Sequence, residues 1–512
     1  MHPLPIKAAI LWGLAALALA LLFTVATFRS IPPSSDLWDY SQEARQLARG
    51  EGFTSLYTYP AQLRANDQPP FPVRWRMPLY AVRGAMTLKA GVSLPLGYLL
   101  AVAQTHAILV ALVFLLGAHL ASPRAGAIAA ATTMASPILL DSFSPGMSQV
   151  PAAALAVLVW LLLLRWRGAA TALIAGVAAA AAWHLRAETV LMVPLWIFAA
   201  ARSGHRRRGL MFGATYWLLC APWLIHIWRT TGSSLPISFP WTLLYTPDFP
   251  GYASVRSYGA ALPSGIAYAL SHPLTFAVRW LKDVLGFGLD LLGGLGPLAI
   301  GLGITGLLLR EARDRYAPLR STILLALAIA VQIAVFSALQ RSPRFLVPAV
   351  PLAAVIIGVA AAPVLDRICG RRAQHLLIAL LIAERALTVA FQTREARHRS
   401  PPLPAETAAA LNSAAAAWPR DQLILSDVPD WVAWHADHPA LFLPLSRDLA
   451  AIQRDHPVNA IFLSPDARAR NAADGDTSWV GILDRCEPII GFSGPAPLPG
   501  GARLYVRRAA PP

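Results

Sequence analysis

Two carboxylates, Asp36 and Asp39, stand three residues apart in IPPSSDLWDYSQEARQLARG, directly after a long apolar run. An acid at the edge of a membrane is costly unless paired or wet, so one retained there is a candidate for chemistry. Ionised, it can accept a proton from a hydroxyl group. Position alone gives Asp36 a second use. Asp before the helical run DYSQEARQLARG, which Gly50 and Gly52 end, caps free backbone N–H groups.

The elements that must position these acids are membrane helices. Of the 512 residues, 56% are hydrophobic and only 14% charged, where a soluble chain carries about 25% charge. The net charge of +16 comes from 43 basic against 27 acidic residues. These basic residues cluster in short loops between apolar runs, which points to orientation and anionic headgroups rather than nucleic acid. Cys220, Cys369 and Cys486 are scattered and show no C-x-x-C spacing, so neither a disulfide framework nor a metal site is indicated.

Lys7 precedes an apolar run from Ala8 to about Phe28, long enough to cross a core of about 30 Å and longer than the apolar region of a signal peptide. Ten more runs begin near Leu94, Ala125, Val150, Ala169, Val190, Leu210, Leu292, Thr322, Phe345 and His375. Every second loop is basic: Arg124, then Arg165 and Arg167, Arg202 with Arg206 to Arg208, Arg310 to Arg320, and Arg367 with Arg371 and Arg372. That alternation predicts a cytoplasmic N-terminus and an external C-terminus. A membrane domain is therefore expected over residues 1–392, with external loops at 29–93 and 229–291. In the first loop short helices lying on the membrane are expected, and HPLTFAVRWLKDVLGFGLD in the second reads as an interfacial helix. A proline-rich linker, 393–404, leads to residues 405–512, where QLILSD, ALFLPL, NAIFLS and RLYVRR read as strands among helices of a small α/β domain.

The pattern D-x-x-x-Y, then A-x-x-L-x-x-G-x-G-F, falls on Asp36, Tyr40, Ala44, Leu47, Gly50, Gly52 and Phe53, and R-x-P-L-Y follows at Arg76, Pro78, Leu79 and Tyr80. After a first span, it resembles the first external loop of the GT-C superfamily of glycosyltransferases. The similarity is to the family 39 type, which includes protein mannosyltransferases and aminoarabinose transferases. The resemblance implies an α-helical polytopic membrane protein of about 11 transmembrane helices with a small C-terminal extracytoplasmic α/β domain. It also implies an inner-membrane enzyme that moves a sugar from a polyprenyl-phosphate donor to an extracytoplasmic lipid, glycan or protein. Asp36 falls on that family's active-site acid; Asp39 is the second choice. The segment SDVPDWVAWHADHPALFLP resembles the external tail domains of some bacterial members.

A donor of this kind asks for a cationic phosphate clamp, and arginine suits it because its planar fork pairs with phosphate and keeps its charge. External candidates are Arg64, Arg74, Arg76, Arg186, Arg341 and Arg344. Of these, Arg344 in SPRFLVPAVPL resembles the family's R-[YF]-x-x-P-x-x-P element. Arg186 in HLRAETVLMVP resembles R-P-E-x-x-x-x-x-P with Ala187 in place of proline. Each could equally be a snorkelling interface arginine. Tyr40, Tyr80 and Asp141 are the candidates for substrate contact. Asp36 as base, with attack opposite the leaving phosphate, would invert the anomeric centre. Were the acceptor itself a phosphate, Asp36 would instead orient it or a cation.

Many relatives carry glutamate where this chain has Gln149, which weakens the case for a second acid or a metal between loops. The sequence fixes no cofactor with certainty and leaves a divalent cation as the one candidate. His184 and Glu188, four residues apart, are weak evidence for a metal, and His435 and His438 read as lying on a solvated loop. The competing class is a transporter or flippase, and a third is an inactive scaffold. Transporters favour repeats and mid-membrane acids, whereas these spans are nearly free of acids and the first loop is large.

Overall fold

The computed structural model describes the chain apart from residues 1–4, 28–35, 64–66, 75, 142, 144–146, 203–204, 232–253, 260–264, 309–318, 340, 368–369, 400–402, 474–475, 486 and 509–512. Arg64, the basic residues Arg310 to Arg315, and most of the second external loop fall outside the described residues.

From the N-terminus, α1 (Ile6–Thr27) leads to the first loop, which holds α2 (Asp36–Arg49), α3 (Pro78–Lys89) and the short strands β1 (Thr54–Ser55), β2 (Tyr57–Thr58) and β3 (Phe71–Pro72). The helical layer continues with α4 (Leu94–Leu120), α5 (Pro123–Met134), α6 (Pro137–Asp141), α7 (Gln149–Arg165), α8 (Ala169–Leu185), α9 (Val193–Ala201) and α10 (Arg206–Thr231). It ends with α11 (Pro273–Leu295), α12 (Pro297–Leu308), α13 (Leu319–Leu339), α14 (Ala349–Arg367) and α15 (Arg371–Arg399). Each apolar run of the sequence carries helix. Among the described residues, helices α1, α4, α10, α13 and α14 are long and apolar enough to cross a membrane alone, and α11 with α12 makes a sixth such unit bent by 100°. Small residues let the backbones meet, as membrane helices require. A Cβ on Gly126 would collide with the Phe114 carbonyl of α4, and one on Gly358 with the Ala125 carbonyl of α5.

Helix α11 exposes Leu274, Val278, Leu281, Leu285 and Leu289, an apolar stripe at helical spacing. Its other side is tied to the end of α13, where Trp280 donates to the Ala334 carbonyl at 2.8 Å and Arg279 to that of Ala338 at 3.1 Å. The chain turns at Gly296, whose φ of 88° is a left-handed value that favours glycine.

Beside the bundle lies a six-stranded sheet of order β2-β5-β4-β6-β8-β7. Its C-terminal part comprises α16 (Ala405–Ala415), β4 (Leu423–Ser426), α17 (Pro429–Ala436), β5 (Ala440–Phe442), α18 (Leu449–Asp455), β6 (Val458–Leu463), β7 (Ala496–Pro497) and β8 (Arg503–Val506). The central β5, β4 and β6 are parallel. Such strands need helical crossovers, which α17 and α18 supply. Alternate residues of β4 face two cores: Ile424 packs with Leu411 and Trp431, while Leu423 and Leu425 pack with Ile452 and Trp479.

The edge strand β2 comes from the first loop, with Tyr57 opposite Ala440. The α/β unit therefore shares its sheet with a segment nearly four hundred residues away. The second loop docks on the same unit. There the buried Arg256 donates to the carbonyls of Leu443 and Pro444 and to Asn471 Oδ1. Both loops and the α/β unit thus lie together on one side of the helical layer.

Candidate functional site

Helix α2 is a polar helix that is buried. Leu37, Trp38, Asp39, Tyr40, Ser41, Gln42, Glu43, Ala44 and Gln46 are all covered, because α3 packs on one side and α17 of the α/β unit on the other. The loop was expected to hold helices lying on the membrane. Helix α3 exposes Leu79, Val82 and Met86, whereas α2 is covered on both sides. Two of its own arginines fasten α2 to the α/β unit. Arg45 donates to the Ala433 and Trp434 carbonyls at the end of α17 at 2.7 and 2.9 Å, and Arg49 forks onto Asp437 at 2.8 and 3.1 Å. Arg420 also pairs with Asp437.

Asp36 is the first residue of α2 and Asp39 lies in the same turn, where carboxylates complement the helix dipole. Arg76 holds both: Nη2 donates to Asp36 Oδ1 at 2.9 Å and Nε to Asp39 Oδ2 at 2.5 Å. Arg344 reaches the other oxygen of Asp36 at 3.3 Å, although the two residues are 308 positions apart. The Tyr40 ring lies under the Arg76 guanidinium at 4.9 Å, and the Tyr40 hydroxyl meets Ser148 at 2.9 Å.

The two acids differ in environment. The Asp36 side chain keeps 21% of its surface accessible and that of Asp39 only 3%. Burial by itself would raise the Asp36 carboxyl, but the charges of Arg76, then Arg344 and Arg186, outweigh it and hold the group at about 2. For Asp39 burial wins over Arg76 and the carboxyl moves up. Glu43, a turn further on and fully buried, is pushed well above the usual range by burial and by the Asp39 charge. Two neighbouring carboxyls driven apart in this way take different roles, and the accessible, ionised one is Asp36.

The other sequence candidates separate. Arg186, at the end of α8, pairs with Glu188 while its charge still bears on Asp36. Arg74 is not brought to Asp36; it is buried and donates to Asp67 at 2.9 and 3.2 Å and to the Gln62 carbonyl at 2.9 Å, bracing the loop itself. Arg341 is paired with Asp290 of α11. Tyr80 is fully buried, stacked on Tyr98 at 4.6 Å and edge-on to Tyr40 at 4.8 Å, so it supports Tyr40 from behind. Asp141 stands exposed at the end of α6. His184 bonds the Leu219 carbonyl at 3.1 Å, so it and Glu188 have separate partners.

The solvated-loop expectation for His435 and His438 is corrected. His435 lies on α17 with its ring 4.5 Å from that of Trp431 and 4.9 Å from that of Trp38, and burial lowers it to about 4. His438 is 1% exposed. Sequence reasoning missed Glu43, Ser148 and Asp430. Asp430, in the first turn of α17, is raised by burial first and then by the charges of Asp39 and Asp36. The i, i+4 spacing of Asp39 and Glu43 was the one available signal.

No family model and no curated protein matches the chain. Solved structures do share its fold. ArnT from Cupriavidus metallidurans, bound to undecaprenyl phosphate, aligns over 98% of this chain and 98% of its own, with TM-score 0.57 and 12% identity. The oligosaccharyltransferase AglB from Archaeoglobus fulgidus, in complex with an inhibitory peptide and a dolichol-phosphate, aligns over 97% of this chain and 74% of its own, with TM-score 0.57 and 15% identity. The arabinofuranosyltransferase AftD from Mycobacteria aligns over 98% of this chain but 40% of its own, with TM-score 0.52 and 16% identity. At such identities the likeness speaks for the fold. The chain shares the fold of these solved structures, a polytopic layer of apolar helices with a small α/β unit.

Proposed function

We propose that this protein transfers a sugar from a polyprenyl-phosphate donor to an acceptor on the outer face of the cell inner membrane, with Asp36 as general base. The observation that carries the reading is an ionised, accessible carboxylate bracketed by the guanidinium groups of Arg76 and Arg344 at the rim of the helical layer. Its relevance rests on the shared fold, since ArnT has been solved with undecaprenyl phosphate and AglB with dolichol-phosphate.

In the proposed step Asp36 takes the proton of an acceptor hydroxyl as that oxygen attacks the anomeric carbon. The bond from that carbon to the phosphate oxygen breaks, and the lipid phosphate leaves with the electron pair. Displacement from the opposite face inverts the centre. Arg344 suits the leaving phosphate, because 39% of its side chain is accessible and its contact with Asp36 is the longer one; Arg186 adds positive charge behind it. Tyr40 positions Arg76. Residues 405–512, with the first loop, form the wall on the acceptor side.

The test is to incubate purified protein in lipid discs with labelled polyprenyl-phosphate sugars and envelope extract. Transfer is expected from one donor class, and Asp36→Asn should fold normally yet lose on the order of 10²–10⁴-fold in rate. Absence of transfer from every donor would sink the reading.

A further inference from the structure

We propose that the Arg76 guanidinium is the built-in cation of this site: it occupies the place between Asp36 and Asp39 where a divalent metal ion would bridge two loop acids, so transfer needs no added metal. The part that concerns transfer rests on the proposed glycosyltransferase reading; the part that concerns the site does not.

Three observations converge. First, Arg76 uses separate nitrogens on the two acids, Nη2 on Asp36 at 2.9 Å and Nε on Asp39 at 2.5 Å, and the Tyr40 ring fixes its plane from below. A bridging ion would need those same oxygens. Second, Arg344 stands at 3.3 Å from the remaining Asp36 oxygen. A divalent ion admitted there would face two fixed positive charges at contact range, and such repulsion is strong in a partly desolvated site.

Third, the start of α7, where Ser148 meets Tyr40, offers no further acid. Tyr40 meets Ser148, and the next residue is Gln149, a neutral amide 2% exposed whose polar atoms take no hydrogen bond among the described residues. Among the described residues no three His, Cys, Asp or Glu side chains are grouped to hold a metal. AglB has been solved with zinc and sulfate; the residues around Asp36 in this chain do not fit such an ion. Arginine serves here because it cannot lose its proton. It keeps Asp36 ionised and aimed at every working pH, a positioning role that needs neither uptake nor release of an ion.

The experiment compares wild type and Arg76→Ala in lipid discs, each with a chelator and then with about millimolar Mn²⁺. Wild-type melting temperature is expected to stay within about 1 °C between the two conditions, and wild-type transfer within about twofold. Arg76→Ala frees two acids, so Mn²⁺ should bind there, raise its melting temperature by about 3 °C or more and restore transfer at least about tenfold from its depressed level. A merely structural arginine would give no such rescue. If Arg76→Ala does not fold, Arg76→Gln replaces it: the neutral amide keeps hydrogen bonds to the acids but removes the charge, and Mn²⁺ is expected to raise its melting temperature as well.

A wild type that loses transfer on chelation and regains it with Mn²⁺ would overturn the proposal, as would Mn²⁺ stabilising wild type as much as the variant. If wild type transfers nothing in any buffer, the enzymatic reading has failed, while the melting comparison still decides whether Arg76 holds the cation's place.

Discussion

At the scale of single residues, the site sets three carboxyls on one helix apart, with arginine charge holding Asp36 down while burial raises Asp39 and Glu43. Asp36 is depressed to about 2 in the folded protein from 3.8. Its contribution to stability is therefore fully present above the unfolded value and is lost as pH falls from about 4 to about 2, at most about 2 kcal/mol. Glu43 has the opposite sign. Its folded value lies well above 4.5, so the folded state keeps a proton that the unfolded chain has released, and stability falls as pH rises through that window. Glu43→Gln should therefore raise the melting temperature at pH 8 by about 2 °C or more and leave it nearly unchanged at pH 4, a difference read directly from melts at the two values. Equal shifts at both would mean that Glu43 is not the group titrating.

At the scale of elements, the decisive feature is how closely helices α4, α5 and α14 approach. Glycine at positions 126 and 358 lets backbones touch where any side chain would collide with a carbonyl. Gly358→Val is expected to cost on the order of 1–3 kcal/mol through overpacking. A detergent melt that matched wild type would show that the helices can separate freely. The burial of α2 is the other feature at this scale. Its sequence is polar enough to float on a surface, yet it is buried between α3 and α17, where Arg45 and Arg49 fasten it to the end of α17. Arg45→Ala should loosen that contact and lower transfer by about tenfold without changing donor affinity, because a misplacement of about 1 Å at the reacting group is enough for such a loss. Donor titration alongside acceptor kinetics separates the two effects.

At the scale of the whole molecule, the α/β unit is a structural partner of the first loop rather than an appendage. It takes β2 into its sheet, covers α2 with α17 and holds the second loop through Arg256. Removing the chain after Arg399 would leave Tyr57 and Thr58 without a strand to pair with. The first loop is then expected to become sensitive to protease while the helical layer stays folded, which limited proteolysis in lipid discs reads out. A first loop that resists cleavage after the truncation would show that the helical layer alone orders it.

Much of this was legible from the residues alone. Apolar runs long enough for a bilayer must become helices, because no water is present there to satisfy the backbone. The strands at QLILSD, ALFLPL, NAIFLS and RLYVRR were plain in their β-branched and aliphatic content. Asp36 and Arg344 also stood out by motif, as did Arg76 within R-x-P-L-Y. What the one-dimensional order does not contain is which charge meets which. Arg74 and Arg76 look interchangeable as neighbours in sequence, yet one braces Asp67 and the other holds two acids. His435 looked solvated until Trp38 closed over it. Pairing across hundreds of residues depends on the packed arrangement of the loops and the α/β unit, and that arrangement, through distance and burial, decides whether a carboxyl stays charged.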